Sequence, residues 1–165
     1  MPEEGDGVSR LMVVTLIGYL TRIERERRTL YGSDLELAAV FEVVSIAAIE
    51  PSLRDASFRA AHSRFDTVVG VEGQRGINAM SIAATTGIPR ETVRRKLKRL
   101  LERGYIVEKT KGHYVATPGR LQGADYQAAF ARSVRETMRF MNECLEQGLV
   151  QWIPNGDPPK RGGAG

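Results

Sequence analysis

The chain has 165 residues, 42% of them hydrophobic and 27% charged, with a formal net charge of +4. That is enough apolar material for one domain-sized core with helical extensions. A single cysteine, Cys144, excludes an internal disulfide and a cysteine-rich zinc site, and two histidines add too few ligands for a transition-metal cluster.

Residues 1–7 are polar and glycine-containing and are expected to fray. Glu3, Glu4 and Asp6 have the wrong sign for a secretory signal. The most apolar run, Leu11 to Leu20, is ten residues long, too short to cross a bilayer. A cytoplasmic protein with no membrane partner is the expectation. A first helix is predicted over Val8–Arg28, with Val8, Leu11, Met12, Leu16, Tyr19, Leu20 and Ile23 on a broad apolar side. Tyr31-Gly32-Ser33-Asp34 breaks it, and Ser33 or Asp34 can cap a second helix, Leu35–Ile49. Leu37, Val40, Phe41, Val44 and Ala48 are its candidate core. A third helix is predicted over Ser57–Val69 with Phe58, Ala61, Phe65 and Val68 inward, followed by a loop, Gly70–Gly76. Residues 8–70 thus form an N-terminal helical region, suited to dimerisation or support.

The stretch Ile77–Thr117 organises the chain. Asn78 is a good N-cap for a short helix, Ala79–Thr86, and Gly87 supplies a turn that needs φ > 0. Ile82, Ile88 and Val93 are spaced to pin this helix to the next, and Ala83 is small where the two cross. That next helix, Arg90–Arg103, carries Val93, Leu97, Leu100 and Leu101 as an inward stripe. Glu91, Arg95, Arg99 and Glu102 fall on the opposite face. Gly104 stops the helix. Two β-prone runs, Tyr105–Lys109 and His113–Thr117, are joined by Thr110-Lys111-Gly112 as a hairpin with a basic tip. The fold class expected is mainly α: a winged helix-turn-helix over 77–117, with N- and C-terminal helices forming a dimerisation region.

Charge points the same way. Between Arg90 and Lys111 there are nine cations and three anions, a balance of +6 in a chain whose total is +4. The remainder therefore sums to −2. Positive charge is concentrated where this fold would meet phosphates, so double-stranded DNA is the expected partner.

After the hairpin, Pro118-Gly119 redirects the chain into a long helix, about Leu121–Gln147, within a C-terminal segment 121–150. Phe130, Val134, Met138, Met141 and Leu145 make a continuous seam along it. Pairing with the Val8–Arg28 helix, both within the chain and across a two-fold axis, predicts a homodimer. Trp152 stands alone beyond it, and the Pro/Gly-rich segment 154–165 is expected to be disordered.

The block IAATTGIPRETVRRKLKRLLERGYIVEK resembles the DNA-binding unit of bacterial winged helix-turn-helix transcriptional regulators. Arg90-Glu91-Thr92-Val93 with Arg95 is similar to the recognition helix of the cyclic-AMP receptor protein family. That resemblance implies base contacts by Arg90, Glu91 and Arg95 and a phosphate contact by Thr92. Arginine presents a fork that suits guanine O6/N7, and glutamate can accept from cytosine N4. With the neighbouring cations, the candidate DNA contacts are Arg90, Glu91, Thr92, Arg94, Arg95, Lys98, Arg99, Lys109 and Lys111. Pro89 stands where that family often has serine, so the side-chain cap is lost. An all-helical N-terminal half leaves no room for a cyclic-nucleotide barrel. The overall plan instead resembles the MarR family, which implies a small-molecule effector between the helical dimer region and the DNA-binding lobe. No Ser/His/Asp order, metal-spaced cluster or phosphate loop is present, so neither an enzyme nor a cofactor is expected. His113 is read as a solvated strand residue, His62 as half-buried, and Cys144 as a small core residue. Two other readings stand beside a homodimeric regulator. One is a winged helix serving as a protein–protein interaction module; the other is a sequence-independent architectural DNA binder.

Overall fold

The computed structural model describes residues 9–150; the expectations for residues 1–7, Val8, Trp152 and the 154–165 tail lie outside them. The described residues are mainly helical, with six α-helices and one three-stranded antiparallel sheet. They divide into two compact units, residues 25–131 and residues 9–24 with 132–150. None of the helices is long and apolar enough to cross a membrane.

The larger unit is built on α2 (Leu35–Ile49). Its sequence is apolar around most of its circumference, which demands burial on several sides. Leu37, Val40, Phe41, Val44 and Ala48, the five positions read as core, are fully buried. Phe41 meets three rings: Tyr31 at the end of α1 (Arg10–Tyr31), Tyr105, and Tyr126 near the start of α6 (Ala124–Glu146). Edge-on aromatic packing of this kind adds to the area each ring buries. Asp34 caps α2, its side chain accepting from the Leu37 amide at 3.0 Å. The first helix runs three residues past the expected Arg28, because Tyr31 is drawn into this core.

The third helix is shorter than its apolar spacing predicted. A 3-10 turn at Ser52–Arg54 leads into α3, Ala56–Ala61, and the chain is irregular from His62 to Gly70. Two contacts explain the early stop. The Arg64 guanidinium forks onto Asp66, a pairing between i and i+2 that a helix cannot make. Phe65 leaves the expected stripe and packs edge-to-face on Phe130, 5.4 Å between centroids. Phe65 and Val68, expected inward, are both exposed.

Local signals set the next elements closely. Asn78 caps α4 (Ala79–Thr86), accepting from the Met80 and Ser81 amides, and Gly87 takes φ +71°. Helix α5 spans Arg90–Glu102 after Pro89, which offers no side-chain cap. Gly104 (φ +68°) then closes a Schellman motif: its amide bonds to Leu101 O and that of Tyr105 to Leu100 O. Ile82, Val93, Leu97 and Leu100 are buried, with Ala83 and Ile88 packed against them. Leu101, expected in the same stripe, is 36% exposed.

Strands β2 (Ile106–Thr110) and β3 (His113–Ala116) form the hairpin, with Thr110 paired to His113 and a bulge between Glu108 and Thr110. A two-residue strand that the sequence reading did not anticipate, β1 (Ile77–Asn78), pairs antiparallel with β3 and gives the order β1-β3-β2. Two residues are too few to show alternation, so no periodic signal announces it.

In the smaller unit the α1 and α6 segments run antiparallel. Tyr19 stacks on Phe140 at 4.5 Å between centroids, and its hydroxyl lies 3.1 Å from Thr137 Oγ1. Thr15 donates to Gln147, and Arg22 reaches Glu136 and Glu143. Cys144 is buried. The expected apolar side of α1 is corrected here. The face that meets α6 carries Thr15, Tyr19 and Arg22, whereas Leu11, Leu16 and Leu20 are exposed.

Candidate nucleic-acid interface

Helix α5 separates its charges from its apolar residues around the axis. Val93, Leu97 and Leu100 anchor it to the core, while Arg90, Glu91, Arg94, Arg95, Lys98, Arg99 and Glu102 are exposed. The anchored stripe is made by packing, and a rigid helix is thereby left with a basic outer surface. Of the nine candidate residues, Arg90, Glu91, Thr92, Arg94 and Arg95 cluster in the first two turns, next to the Gly87 turn. Arg94 Nη1 lies 3.5 Å from Glu91 Oε2, and Arg95 Nη2 donates to Thr92 Oγ1 at 3.3 Å. These are weak surface contacts that a stronger acceptor can replace. Lys98 is farther along, 3.9 Å from Glu102 and largely in solvent.

Two of the nine have side chains already engaged elsewhere. Arg99 Nη1 donates to Asp34 Oδ2, and Lys96 Nζ, from the same helix, donates to Asp34 Oδ1. Lys96 also lies 3.2 Å from Glu36. Burial pushes the Asp34 carboxyl up, but the bonds from Lys96, the Leu37 amide and Arg99 outweigh it and hold it below the ordinary aspartate value. Asp34 therefore joins the cap of α2 to the flank of α5. The sequence showed it only as a cap, because its partners lie more than sixty residues away.

Lys109 is the second. Its ammonium donates to the carbonyls of Glu72 and Gln74, at 3.0 and 2.8 Å, and ties the hairpin to the 71–74 turn. The bulge at this position lets the side chain leave the strand's ordinary alternation. Lys111, at the tip, is exposed, and the turn is closed by Glu108 accepting from the Gly112 amide. His113 is exposed, and His62 stacks on Phe58 at 4.2 Å.

The surface is thus a basic, partly self-paired helix face and a basic hairpin tip, without apolar side chains among its forward residues. Comparison with models of known families, with curated proteins and with solved structures finds no match.

Proposed function

We propose that this chain is a DNA-binding transcriptional regulator of the winged helix-turn-helix type, acting as a homodimer. In this reading α4, the Gly87 turn and α5 are the helix-turn-helix, and the β2–β3 hairpin is the wing. Helix α5 enters the major groove by its N-terminal half. The wing tip, with Lys111, lies along the backbone or the minor groove. The observation that carries the reading is the division of α5: apolar residues buried along one side, and Arg90, Arg94, Arg95 and Lys98 exposed, engaged at most in weak contacts within the helix. An interface for a folded protein partner favours apolar and aromatic anchors at such a position, and this helix offers arginine and lysine instead.

Dimerisation is supported by the smaller unit. The α6 seam of Val134, Met138, Met141 and Leu145 is 41–61% exposed, and Val14, Ile17 and Leu20 of α1 are 52–63% exposed. The two helices meet through polar and aromatic groups, so among the described residues these apolar faces have no cover. Monomers rarely leave such an area in water. A second copy supplies the same faces with two-fold complementarity. Two DNA-binding units then read half-sites about one helical turn apart.

Fluorescence anisotropy of the full chain on duplex DNA tests this, comparing the region upstream of its own gene with a scrambled duplex at two salt concentrations. Tighter binding to the upstream region that survives added salt is expected. Equal, salt-labile binding to both duplexes would instead identify a sequence-independent architectural binder. Absence of binding at low salt and micromolar protein would identify a protein-interaction module.

A further inference from the structure

We propose that Asp34 is a positioning residue for DNA binding: it holds the Arg99 guanidinium by one end and so turns the opposite edge of that group to a backbone phosphate. The inference rests on the DNA-binding reading and gives a residue outside α5 a role in that interface. Arg99 follows Arg95 by four residues, so the two are neighbours on one row of the helix, about 6 Å apart along its axis. With α5 entering the groove by its N-terminal half, Arg95 lies over base edges. Arg99 then lies one turn farther out, at the wall of phosphates.

The supporting carboxylate is itself fixed. Asp34 Oδ1 accepts from the Leu37 amide at 3.0 Å and from Lys96 Nζ. The Lys96 side chain is 12% exposed and also lies 3.2 Å from Glu36, so it stays within the chain. Oδ2 accepts from Arg99 Nη1. A carboxylate anchored through one oxygen by a helix cap and an enclosed lysine gives a firm hold to a charged donor on the other.

Engagement by Asp34 does not withdraw Arg99 from the surface. Its side chain is 44% exposed, and among the described residues only its Nη1 is bonded. Nη1 and the Nε–Nη2 pair lie on opposite sides of the planar guanidinium. The edge that grips an oxyanion with two parallel bonds is therefore open. Ordering a long arginine at an interface costs rotamer entropy, and the loss is smaller for one already held before DNA arrives. Asp34 thereby strengthens a phosphate contact although its own charge repels DNA.

Asp34→Asn separates the two effects because they have opposite signs. Its side-chain oxygen still caps α2, but the amide nitrogen turned to Arg99 cannot accept. Loss of a negative charge alone tightens binding to DNA; loss of positioning weakens it. Anisotropy titrations of the full chain, on the duplex from upstream of its own gene at several salt concentrations, are expected to show binding about three- to tenfold weaker in Asp34→Asn. Arg99→Ala should lower the salt dependence by about one phosphate, and adding Asp34→Asn to it should cause no further weakening. Asp34→Ser, which also caps, replaces Asp34→Asn if circular dichroism shows that variant unfolded. Tighter or unchanged binding by Asp34→Asn would overturn the proposal. So would equal weakening with and without Arg99, which makes Asp34 a support for α5 as a whole, or an unaltered salt dependence in Arg99→Ala. Failure of the wild type to bind any duplex would overturn the DNA-binding reading itself, and this role with it.

Discussion

Asp34 offers the sharpest test of how α5 is held. Replacing it by alanine removes an N-cap, about 1 kcal/mol. It also removes the acceptor for Lys96, whose side chain is only 12% exposed, and for the more exposed Arg99. A hydrogen bond between charged groups is worth roughly 1.5–3 kcal/mol when largely withdrawn from water. Glu36 at 3.2 Å still serves Lys96, which reduces that loss. The Arg99 pair, closer to solvent, contributes about 0–1 kcal/mol. Asp34→Ala should therefore cost about 2–3 kcal/mol. Asp34→Asn keeps an oxygen to cap α2 and loses the charge, so about 1 kcal/mol is expected. Urea unfolding followed by far-ultraviolet circular dichroism measures both.

Acid separates the cap from the charge. The Asp34 carboxyl is held below its ordinary value in the folded chain. Its contribution is therefore complete above the unfolded-state pKa, about 3.9, and fades as pH falls through the lower, folded value. The gap between wild type and Asp34→Asn should be constant from about pH 7 to 5 and close below about pH 4. A gap that widens on acidification would refute this account. So would Asp34→Asn matching wild type in stability, which would leave Asp34 as a cap alone.

Other consequences are more direct. Arg95→Ala should cost roughly 1–3 kcal/mol on the cognate duplex and relax specificity there; equal weakening on random DNA would make Arg95 a phosphate contact only. Lys111→Ala should lower the salt dependence of DNA binding by about one phosphate. Lys109→Met should leave that slope unchanged and destabilise the hairpin, seen as faster amide exchange over residues 106–116. The same slope change in both variants would sink the tether assignment. Met138→Glu places a charge in the exposed α6 seam, and sedimentation should report a folded monomer for the variant and a dimer for the wild type. An unchanged sedimentation coefficient would count against the seam. Gly87→Ala should cost about 1–2 kcal/mol in thermal or urea unfolding, a backbone effect only, since an added Cβ meets nothing within 4 Å. A neutral substitution would show that the turn relaxes out of its left-handed conformation.

Much of the larger unit was legible because its boundaries are encoded locally. Asp34, Asn78, Gly87 and Gly104 each act on amides or dihedrals within a few residues. The bounds of α2, α4 and, to within a residue, α5 follow from them, as do the inward positions of α2. Apolar spacing was a weaker guide wherever a cap was missing. Phe58, Ala61, Phe65 and Val68 have helical spacing, yet the helix ends at Ala61, because Phe65 finds Phe130 and Arg64 finds Asp66. Of the candidate site, the exposure of Glu91 and Arg95 could be read from the helix period and that of Lys111 from the hairpin turn.

The commitments of the remaining cations could not. Arg99 has the outward phase that periodicity assigns, but its guanidinium goes to Asp34, and Lys109 leaves its strand for two carbonyls of the 71–74 turn. The sequence by itself determined the bounds of α2 and α4, the buried stripe of α2, and that the basic charge gathers between Arg90 and Lys111. Only the tertiary structure decided which of those charges are spent within the chain, that β1 completes the sheet, and that α1 and α6 meet through Thr15, Tyr19 and Arg22. The physical reason is range: caps, turns and periodicity act over a few residues. An ion pair or an interhelical face depends on which distant segment arrives, and no local pattern records that.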